Sequence, residues 1–392
     1  MSGCVHLAHH WWVWQRGGGR VFADMAELFP GAELSMIVHA PSTLSPEMAA
    51  RVIHASVLQR VSPRWLDHRK LLPLFPWAVR GLSAPEGTRL LLTSDAAVIK
   101  GMRKPPGCVQ VCYCHSPPRY LWDMTDEYVR RTGGLGAIGR RVFRWAAERV
   151  RRFDFEAAAN VDHFIANSNF VADRIRRCYG REAKVIYPAV DIGRLQPTGL
   201  AAADFYLVVS ELVAYKRVDL AVAACTRLGR RLVVAGDGAE LSRLRLQAGP
   251  TVEFRGRVRD DEVARLLAEC RALLHPQVED FGLTPVEAQA AGRPVIALGV
   301  GGARETVIDG RTGVFFAEQT VGGLEEAIRR FEALPPGALG VEACRSNAER
   351  FNRPRFQSEL RAALLEWTPE IAGSLFRKTD CGWTKPGPAA MG

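Results

Sequence analysis

The chain has 392 residues, of which 47% are hydrophobic and 24% are charged. This composition is typical of globular proteins, and the length predicts two domains with a hydrophobic core each. No apolar run reaches the roughly 18 residues of a membrane-spanning helix. The apolar stretch near the N-terminus has no positively charged segment before it, which argues against a signal peptide, so we expect a cytoplasmic protein.

Short apolar strands alternate with helical segments in both halves of the chain. Strands of the first half are predicted over residues 5–9, 34–38, 90–93, 109–114, 163–167 and 184–187. Those of the second half are predicted over 205–209, 232–235, 251–255, 272–274, 295–298 and 314–316, with helices over 218–227, 239–247, 260–269 and 285–291. Because the later strands are continuous apolar runs, they indicate parallel strands covered on both faces. The sequence therefore predicts two doubly wound α/β domains with Rossmann-like parallel sheets that face each other across a cleft.

The predicted domain boundary lies in a polar stretch that is interrupted by Pro188, Pro197 and Gly199. We predict an N-terminal domain over residues 1–190 and a C-terminal domain over residues 200–350. A helix over about residues 355–376 is expected to pack back on the N-terminal domain. The polar residues 377–392 are expected to be disordered.

The net charge of +10 is unevenly distributed, since eight arginines and one acidic residue lie within residues 128–152. Residues 139–159 place apolar side chains among these arginines, which is the pattern of an amphipathic helix. Two interpretations stay open: contact with an anionic surface on the inner face of the cell membrane, and a solvated basic helix face. No nucleic acid is expected as a partner, because the sequence has no zinc-finger or RNA-recognition signature.

Cysteines and glycines give weaker signals. Cys108, Cys112 and Cys114 lie close to His115 and allow a metal site. However, Cys112 and Cys114 fall on one face of a predicted buried strand and no second CxxC-type pair exists, so buried thiols are favoured. The formal GxGxxG pattern at residues 134–139 follows an arginine-rich segment rather than a strand, which predicts a loop and excludes a dinucleotide fingerprint. The glycines at 17–19 are better placed, between a strand and a predicted helix, where backbone N–H groups can approach an anion; a plain glycine turn is the alternative.

The most informative pair of residues is Glu279 and Glu287, which flank Phe281, Gly282, Leu283 and Thr284. Pro285 suits the first turn of a helix, so Glu279 is predicted on the loop after a strand and Glu287 about one turn into that helix. Carboxylates accept strong hydrogen bonds from vicinal hydroxyls, and free N–H groups of the turn can bind a phosphate. These residues therefore suit a ligand that combines sugar, diphosphate and ribose.

Residues 279–287 (EDFGLTPVE) resemble the ExFGxxxxE motif of the retaining glycosyltransferases of family 4, which have the GT-B fold. Further segments occur in the order of a bacterial GDP-mannose-dependent mannosyltransferase-like branch: 113–123 (YCHSPPRYLWD), 210–217 (SELVAYKR), 235–238 (AGDG), 256–258 (GRV) and 301–305 (GGARE). The resemblance covers nearly the whole chain. It implies a hexosyltransferase that moves a sugar, mannose from GDP-mannose, to an acceptor hydroxyl of a polyprenyl-diphosphate-linked glycan or an exopolysaccharide precursor.

The same resemblance implies roles for individual residues. Lys216 would neutralise the donor diphosphate with help from Arg217, Glu279 would bind the transferred sugar, and Glu287 would bind the ribose. Gly282 and Leu283 would offer backbone amides, and His115 would contact the transferred sugar. Gly18 and Gly19 would approach the donor phosphates or the acceptor. No metal or other cofactor is expected, in agreement with the absence of an Asp-x-Asp pair from the sequence.

Three residues depart from the family pattern. Glu211 stands where the family often has an arginine that binds the diphosphate, Gly19 replaces an acidic residue, and His10 replaces an aspartate. These departures bear on the identity of the acceptor more than on the class of donor, and they leave open a non-catalytic membrane-associated scaffold with the same fold. UDP-glucose or another donor also stays open, because no residue of the sequence reads the base or the configuration of the sugar. An NAD-dependent enzyme is disfavoured because the glycine pattern is misplaced.

Overall fold

The computed structural model describes residues 4–13, 17–62, 68–125, 136–198 and 202–371. A first parallel sheet has seven strands in the order β3-β2-β1-β4-β5-β6-β7. Its strands are β1 (Val5–Trp12), β2 (Glu33–His39), β3 (Val52–Ala55), β4 (Leu90–Asp95), β5 (Val109–Cys114), β6 (His163–Ala166) and β7 (Ala183–Val185). The strand order reverses between β1 and β4, and ligands of open α/β sheets bind beside such a switch point.

A second parallel sheet has six strands in the order β10-β9-β8-β11-β12-β13. Its strands are β8 (Tyr206–Val209), β9 (Leu232–Ala235), β10 (Val252–Gly256), β11 (Ala272–His275), β12 (Val295–Leu298) and β13 (Gly313–Phe316). The order reverses between β8 and β11, as it does in the first sheet. The predicted fold class, two doubly wound parallel-sheet domains, is confirmed.

Helices cover the sheets and connect consecutive strands. They are α1 (Gly18–Glu27), α2 (Pro46–Arg51), α3 (Phe75–Arg80), α4 (Arg119–Trp122), α5 (Gly136–Ala159), α6 (Asn169–Tyr179), α7 (Val218–Leu228), α8 (Leu241–Gln247), α9 (Asp260–Glu269), α10 (Leu283–Ala290), α11 (Ala303–Thr306), α12 (Val321–Glu332), α13 (Val341–Glu349) and α14 (Arg353–Trp367). Right-handed crossovers through helices are the usual way to join parallel strands.

Two local predictions were wrong. Strand β3 was missed because it has only four residues, follows α2 directly, and exposes Ile53 and His54 instead of forming an apolar run. The loop predicted over residues 134–139 is helical from Gly136 onward, while residues 134 and 135 lie outside the described residues. The helical spacing of Ile138 and Val142 continues across Gly139, so the helix begins earlier than the glycines suggested.

A buried ion cluster connects β4 to α5. The Lys100 ammonium group is 1% exposed and pairs with Asp95 and Asp154. Asp154 also accepts hydrogen bonds from Trp122 Nε1 and from the Tyr179 hydroxyl group, both at 2.8 Å. Buried charges are tolerated only when they are paired and hydrogen-bonded, so this cluster fixes α5 against the sheet end that borders the cleft.

Helix α14 returns to the first sheet after the second domain is complete. Its apolar face buries Phe356, Leu360 and Leu364 in one hydrophobic cluster with Leu7 and Leu34 of strands β1 and β2. The helix ends at Trp367, and residues 372–392, which include the predicted tail, lie outside the described part of the chain.

Truncating α14 on its buried face should destabilise the protein. Leu360 is fully buried, so Leu360→Ala is expected to lower the free energy of unfolding by about 2–5 kcal/mol through lost burial and a residual cavity. Leu365→Ala is the control on the same helix, because Leu365 is 40% exposed, and should cost less than about 1 kcal/mol. Urea denaturation followed by circular dichroism measures both. Equal losses would show that α14 does not stabilise the N-terminal core.

Candidate active site

A cleft with a volume of about 1170 Å³ lies between the carboxyl ends of the two sheets. Its N-terminal wall is formed by residues after β1 and β5, and its C-terminal wall by the loop after β11 and the first turns of α10. The following predicted site residues line it: Gly18, Gly19, His115, Lys216, Glu279, Phe281, Gly282, Leu283, Thr284 and Glu287. The structure therefore brings together residues that are up to 269 positions apart, from Gly18 to Glu287.

Lys216 and Glu279 form a direct ion pair on the C-terminal wall. Lys216 ends a short 3-10 turn (Ala214–Lys216), and Glu279 lies on the loop after β11, as predicted. Burial favours the neutral acid, but the positive charge of Lys216 lowers the pKa of Glu279 to about 2. Burial likewise opposes the charged lysine, yet Glu279 raises the pKa of Lys216. Both groups are therefore ionised at neutral pH.

The turn after Glu279 presents backbone N–H groups to the cleft. Gly282 has φ +92°, a left-handed conformation that favours glycine, and α10 begins at the next residue. Gly302 N donates to Glu279 O at 2.9 Å, and a Cβ atom on Gly302 would lie 2.3 Å from Phe281 O. The turn is therefore packed tightly against glycine, and the free amides of the first turn of α10 can bind an anion.

Glu287 contacts the opposite domain. Arg20 Nη1 donates to Glu287 Oε1 at 3.0 Å, and Arg20 Nη2 donates to Asp260 Oδ2 at 2.6 Å. Arg194 Nη1 donates to the Asp260 carbonyl oxygen at 2.8 Å. Sequence reasoning missed Arg20 and Arg194, although Arg20 directly follows the three glycines that it had singled out. These contacts show that the first turn of α1 reaches across the cleft.

His115 lies at the end of β5 against the first turn of α1. Its Nε2 atom is 2.8 Å from Ser94 Oγ, and burial, with the nearby His10, lowers the pKa of His115 to about 3. A Cβ atom on Gly18 would lie 3.1 Å from His115 Nε2. The imidazole is therefore neutral at physiological pH, and a glycine at position 18 leaves the space that this ring needs.

Two predicted residues have a different environment from the one expected. Arg217 does not line the cleft, because its left-handed backbone (φ +51°) turns the side chain to Asp219, and the Nε–Oδ1 distance is 3.1 Å. Phe281 is 3% exposed and packs its ring 5.4 Å from that of Phe351, so its side chain belongs to the core. Only the backbone of Phe281 is placed to serve a ligand.

A second set of contacts fixes the loop that carries Glu279. Arg119 Nε donates to Asp280 Oδ2 at 3.1 Å, and Arg174 Nη1 donates to Asp280 Oδ1 at 3.0 Å. Ser168 Oγ donates to the Asp280 carbonyl oxygen at 2.6 Å. The sequence offers no reason to single out Arg174, Ser168 or Asp280, since the partners are separated by more than 100 positions.

Within the described ranges, the structure contains no group of three or more His, Cys, Asp or Glu side chains arranged to hold a metal ion. Cys112 and Cys114 are buried free thiols, as favoured above. None of the helices in that part of the chain is long and apolar enough to cross a membrane.

Two facing Rossmann-like domains with this cleft define the GT-B class of fold. Residues 15–194 match the family described as Glycosyltransferase Family 4, and residues 201–350 match Glycosyl transferases group 1. The two matches are adjacent and correspond to the two sheets. The chain belongs to the GT-B glycosyltransferases.

Individual relatives are more distant. An uncharacterized glycosyltransferase of Methanocaldococcus jannaschii is 31% identical over 45% of this chain and 52% of its own length. A GDP-mannose-dependent alpha-mannosyltransferase of Mycolicibacterium smegmatis is 31% identical over 46% of this chain and 49% of its own. The chain thus spans about half the length of these curated relatives. The structure of Anabaena HepE in complex with UDP is similar in fold, with a TM-score of 0.67 over 92% of this chain and 99% of that chain. The sequence identity between the two chains is 19%.

Acid should weaken the fold through His115. The pKa of His115 is about 3 in the folded protein and 6.5 in the unfolded chain. The neutral buried imidazole therefore stabilises the fold fully above pH 6.5, and this stabilisation is lost as the pH falls towards 3. Between about pH 7.5 and 5 this group alone should remove roughly 2 kcal/mol. His115→Gln should therefore flatten the pH dependence of the unfolding free energy by that amount. The control is His54→Gln at an exposed position, and an equal change in both variants would contradict the assignment.

Proposed function

We propose that this protein is a retaining hexosyltransferase that moves a sugar from a nucleoside diphosphate to an acceptor hydroxyl group. The observation that carries the proposal is the Lys216–Glu279 ion pair beside the N-terminus of α10. Together they offer a cation, a carboxylate and free backbone amides at one point of the cleft. The cation and the amides suit a diphosphate, and the carboxylate suits the hydroxyl groups of a sugar.

The chemistry assigned to the C-terminal wall is electrostatic. As the bond between the anomeric carbon and the phosphate oxygen breaks, negative charge grows on the diphosphate. Lys216 has three N–H donors, of which one is directed to Glu279, so the others are available to that charge. The amides of Gly282 and Leu283 add to the stabilisation, which needs no metal. Glu279 accepts hydrogen bonds from the sugar hydroxyls, and Glu287 from the ribose.

The proposed donor is GDP-mannose, and the proposed acceptor is a lipid-linked glycan or an exopolysaccharide precursor. The similarity to the M. smegmatis mannosyltransferase supports this donor. UDP-glucose is the second candidate, because the similarly folded HepE was also solved with UDP-glucose. A non-catalytic scaffold is disfavoured, since Lys216, Glu279 and His115 all face the cleft.

Removing either member of the ion pair should abolish most turnover. Loss of a group that stabilises developing charge typically costs about 10²- to 10³-fold in kcat, and we expect a loss of that size for Lys216→Ala. Glu279→Gln removes the ion-pair partner of Lys216 and weakens the assigned contact with the sugar hydroxyls, so its kcat should fall by about 10²-fold. The measurement is transfer or hydrolysis of the nucleotide sugar that most raises the melting temperature among GDP-, UDP-, ADP- and dTDP-sugars. Activity should persist in EDTA.

Lys184→Ala is the matched control, because Lys184 also pairs with a glutamate, Glu366, but is 42% exposed and distant from the cleft. It should retain wild-type turnover. Stabilisation by none of the nucleotide sugars at millimolar concentration would count against a transferase.

We further propose that α5 docks the protein on the inner face of the cell membrane. None of residues 136–149 is buried, and Ile138, Val142 and Trp145 are 83%, 58% and 62% exposed. Their spacing places them on one side of the helix. Arginines surround them, so this surface combines apolar insertion with attraction to anionic lipid. Residues 128–135 of the predicted segment lie outside the described residues.

Binding to vesicles tests this surface. Wild type should cosediment with vesicles of mixed neutral and anionic lipid, and the triple variant Arg140→Gln/Arg141→Gln/Arg144→Gln should bind more weakly, as should wild type at high salt. The control triple Arg243→Gln/Arg259→Gln/Arg265→Gln removes the same charge from exposed positions of the other domain. Equal losses in both triples would indicate net charge rather than this surface.

A further inference from the structure

We infer that Arg119 and Arg174 are positioning residues that assemble the active site from its two halves, an inference that rests on the proposed function. Both belong to the N-terminal domain, and both bind Asp280, the residue next to Glu279. Within the described ranges, neither side chain hydrogen-bonds a residue assigned to the donor site, although the charge of Arg119 also helps to lower the pKa of Glu279. Their effect on the reaction passes through the loop that carries Glu279.

The loop is held at three points. Arg119 Nη1 donates to the Val278 carbonyl oxygen at 3.0 Å, so Arg119 binds the residues on both sides of Glu279. Ser168, which also caps the N-terminus of α6 by accepting from Val171 N at 3.0 Å, donates to the Asp280 carbonyl oxygen. The loop is therefore hydrogen-bonded through the Asp280 side chain and through the backbone on both sides of Glu279, which restricts movement of the Glu279 backbone.

The other end of the same contacts leads to His115. Arg174 is 2% exposed, pairs with Asp123, and donates to Ser116 Oγ and to the Pro117 carbonyl oxygen. Ser116 and Pro117 directly follow His115. Arg174 thus binds the residues next to His115 and the residue next to Glu279 with one rigid guanidinium group, whose planar geometry suits such bridging.

Ion pairs with the Asp280 carboxylate stabilise the positions of both arginines. Burial opposes the charged form of Arg119, but the Asp280 carboxylate raises its pKa, so the guanidinium group stays ionised. The Asp280 side chain is 19% exposed, and each of its oxygens faces a guanidinium group. Charge-assisted hydrogen bonds of this kind are about twice as strong as neutral ones.

Binding of the nucleotide and placement of the transferred sugar therefore depend on different contacts. The contacts to the nucleoside diphosphate are assigned to Lys216, Glu287 and the first turn of α10, all in the C-terminal domain, and Arg119 hydrogen-bonds none of these residues. The placement of the transferred sugar against His115 does depend on Arg119. Loss of Arg119 should therefore lower kcat and leave the affinity for the nucleoside diphosphate unchanged.

The test uses the full chain with Arg119→Ala, Arg119→Lys and Asp280→Asn, because the buried Arg174 is a risk for folding. Arg176→Ala is the control on α6, since Arg176 pairs with exposed Asp173 and Glu182. Hydrogen exchange at the backbone amides of residues 278–280 should accelerate in the three variants and not in the control. Unchanged exchange would overturn the inference even if no donor were known.

Kinetics supply the second arm, with the donor that wild type accepts. We expect kcat to fall roughly 10- to 100-fold, as a displacement of about 1 Å can cause, while the Kd for the nucleoside diphosphate stays within about twofold of wild type. Added guanidinium ion should restore part of the kcat of Arg119→Ala but not of Asp280→Asn. Faster exchange with unchanged kcat would overturn the positioning role, whereas a wild type that binds no nucleotide sugar would refute the proposed function and leave the exchange result standing.

Discussion

The Asp280 carboxylate and the guanidinium groups of Arg119 and Arg174 meet where the two domains touch, largely shielded from water. Removing one partner of a fully buried pair typically costs about 3–5 kcal/mol, because it leaves an uncompensated charge. That cost applies to Arg174, which is 2% exposed, and is smaller for Arg119 and Asp280, whose side chains are 19% exposed. The two domains therefore depend on each other for charge balance at this point. Glu279 and His115 are neighbours of the residues that meet this requirement, so their relative placement follows from it.

Charge balance between paired side chains also describes the rest of the cleft. Arg20 lies between Glu287 and Asp260, and Lys216 lies against Glu279. A diphosphate that enters the cleft adds negative charge to a site in which the carboxylates are already paired. Binding it requires that the cations be shared rather than newly supplied, and lysine and arginine have enough N–H donors to do so. The backbone amides at Gly282 supply further donors without adding charge.

Patterns of neighbouring residues in the sequence predicted the secondary-structure elements, whose formation depends mainly on local interactions. Apolar runs located twelve of the strands, and the Glu279–Glu287 spacing located a loop and a helix correctly. The pattern failed at β3, whose four residues have no apolar run. It also did not predict that Gly18 leaves room for the ring of His115, 97 positions away. Nor did it predict the Arg119–Asp280 pair, whose members are 161 positions apart. Such contacts depend on how two domains meet, and no periodicity along the chain encodes that.

The distribution of acidic residues bears on how the acceptor loses its proton. Among the described residues that line the cleft, the carboxylates of Glu211, Asp237, Asp260, Glu279, Asp280 and Glu287 all come from the C-terminal domain. The acceptor-side wall offers His9, His10 and His115 instead. Burial lowers the pKa of all three, to about 3 for His115, so each imidazole is a weak base. A general base works best with a pKa near the working pH. In the transfer that we propose, the leaving phosphate gains charge as the bond breaks and is therefore a better proton acceptor than these imidazoles.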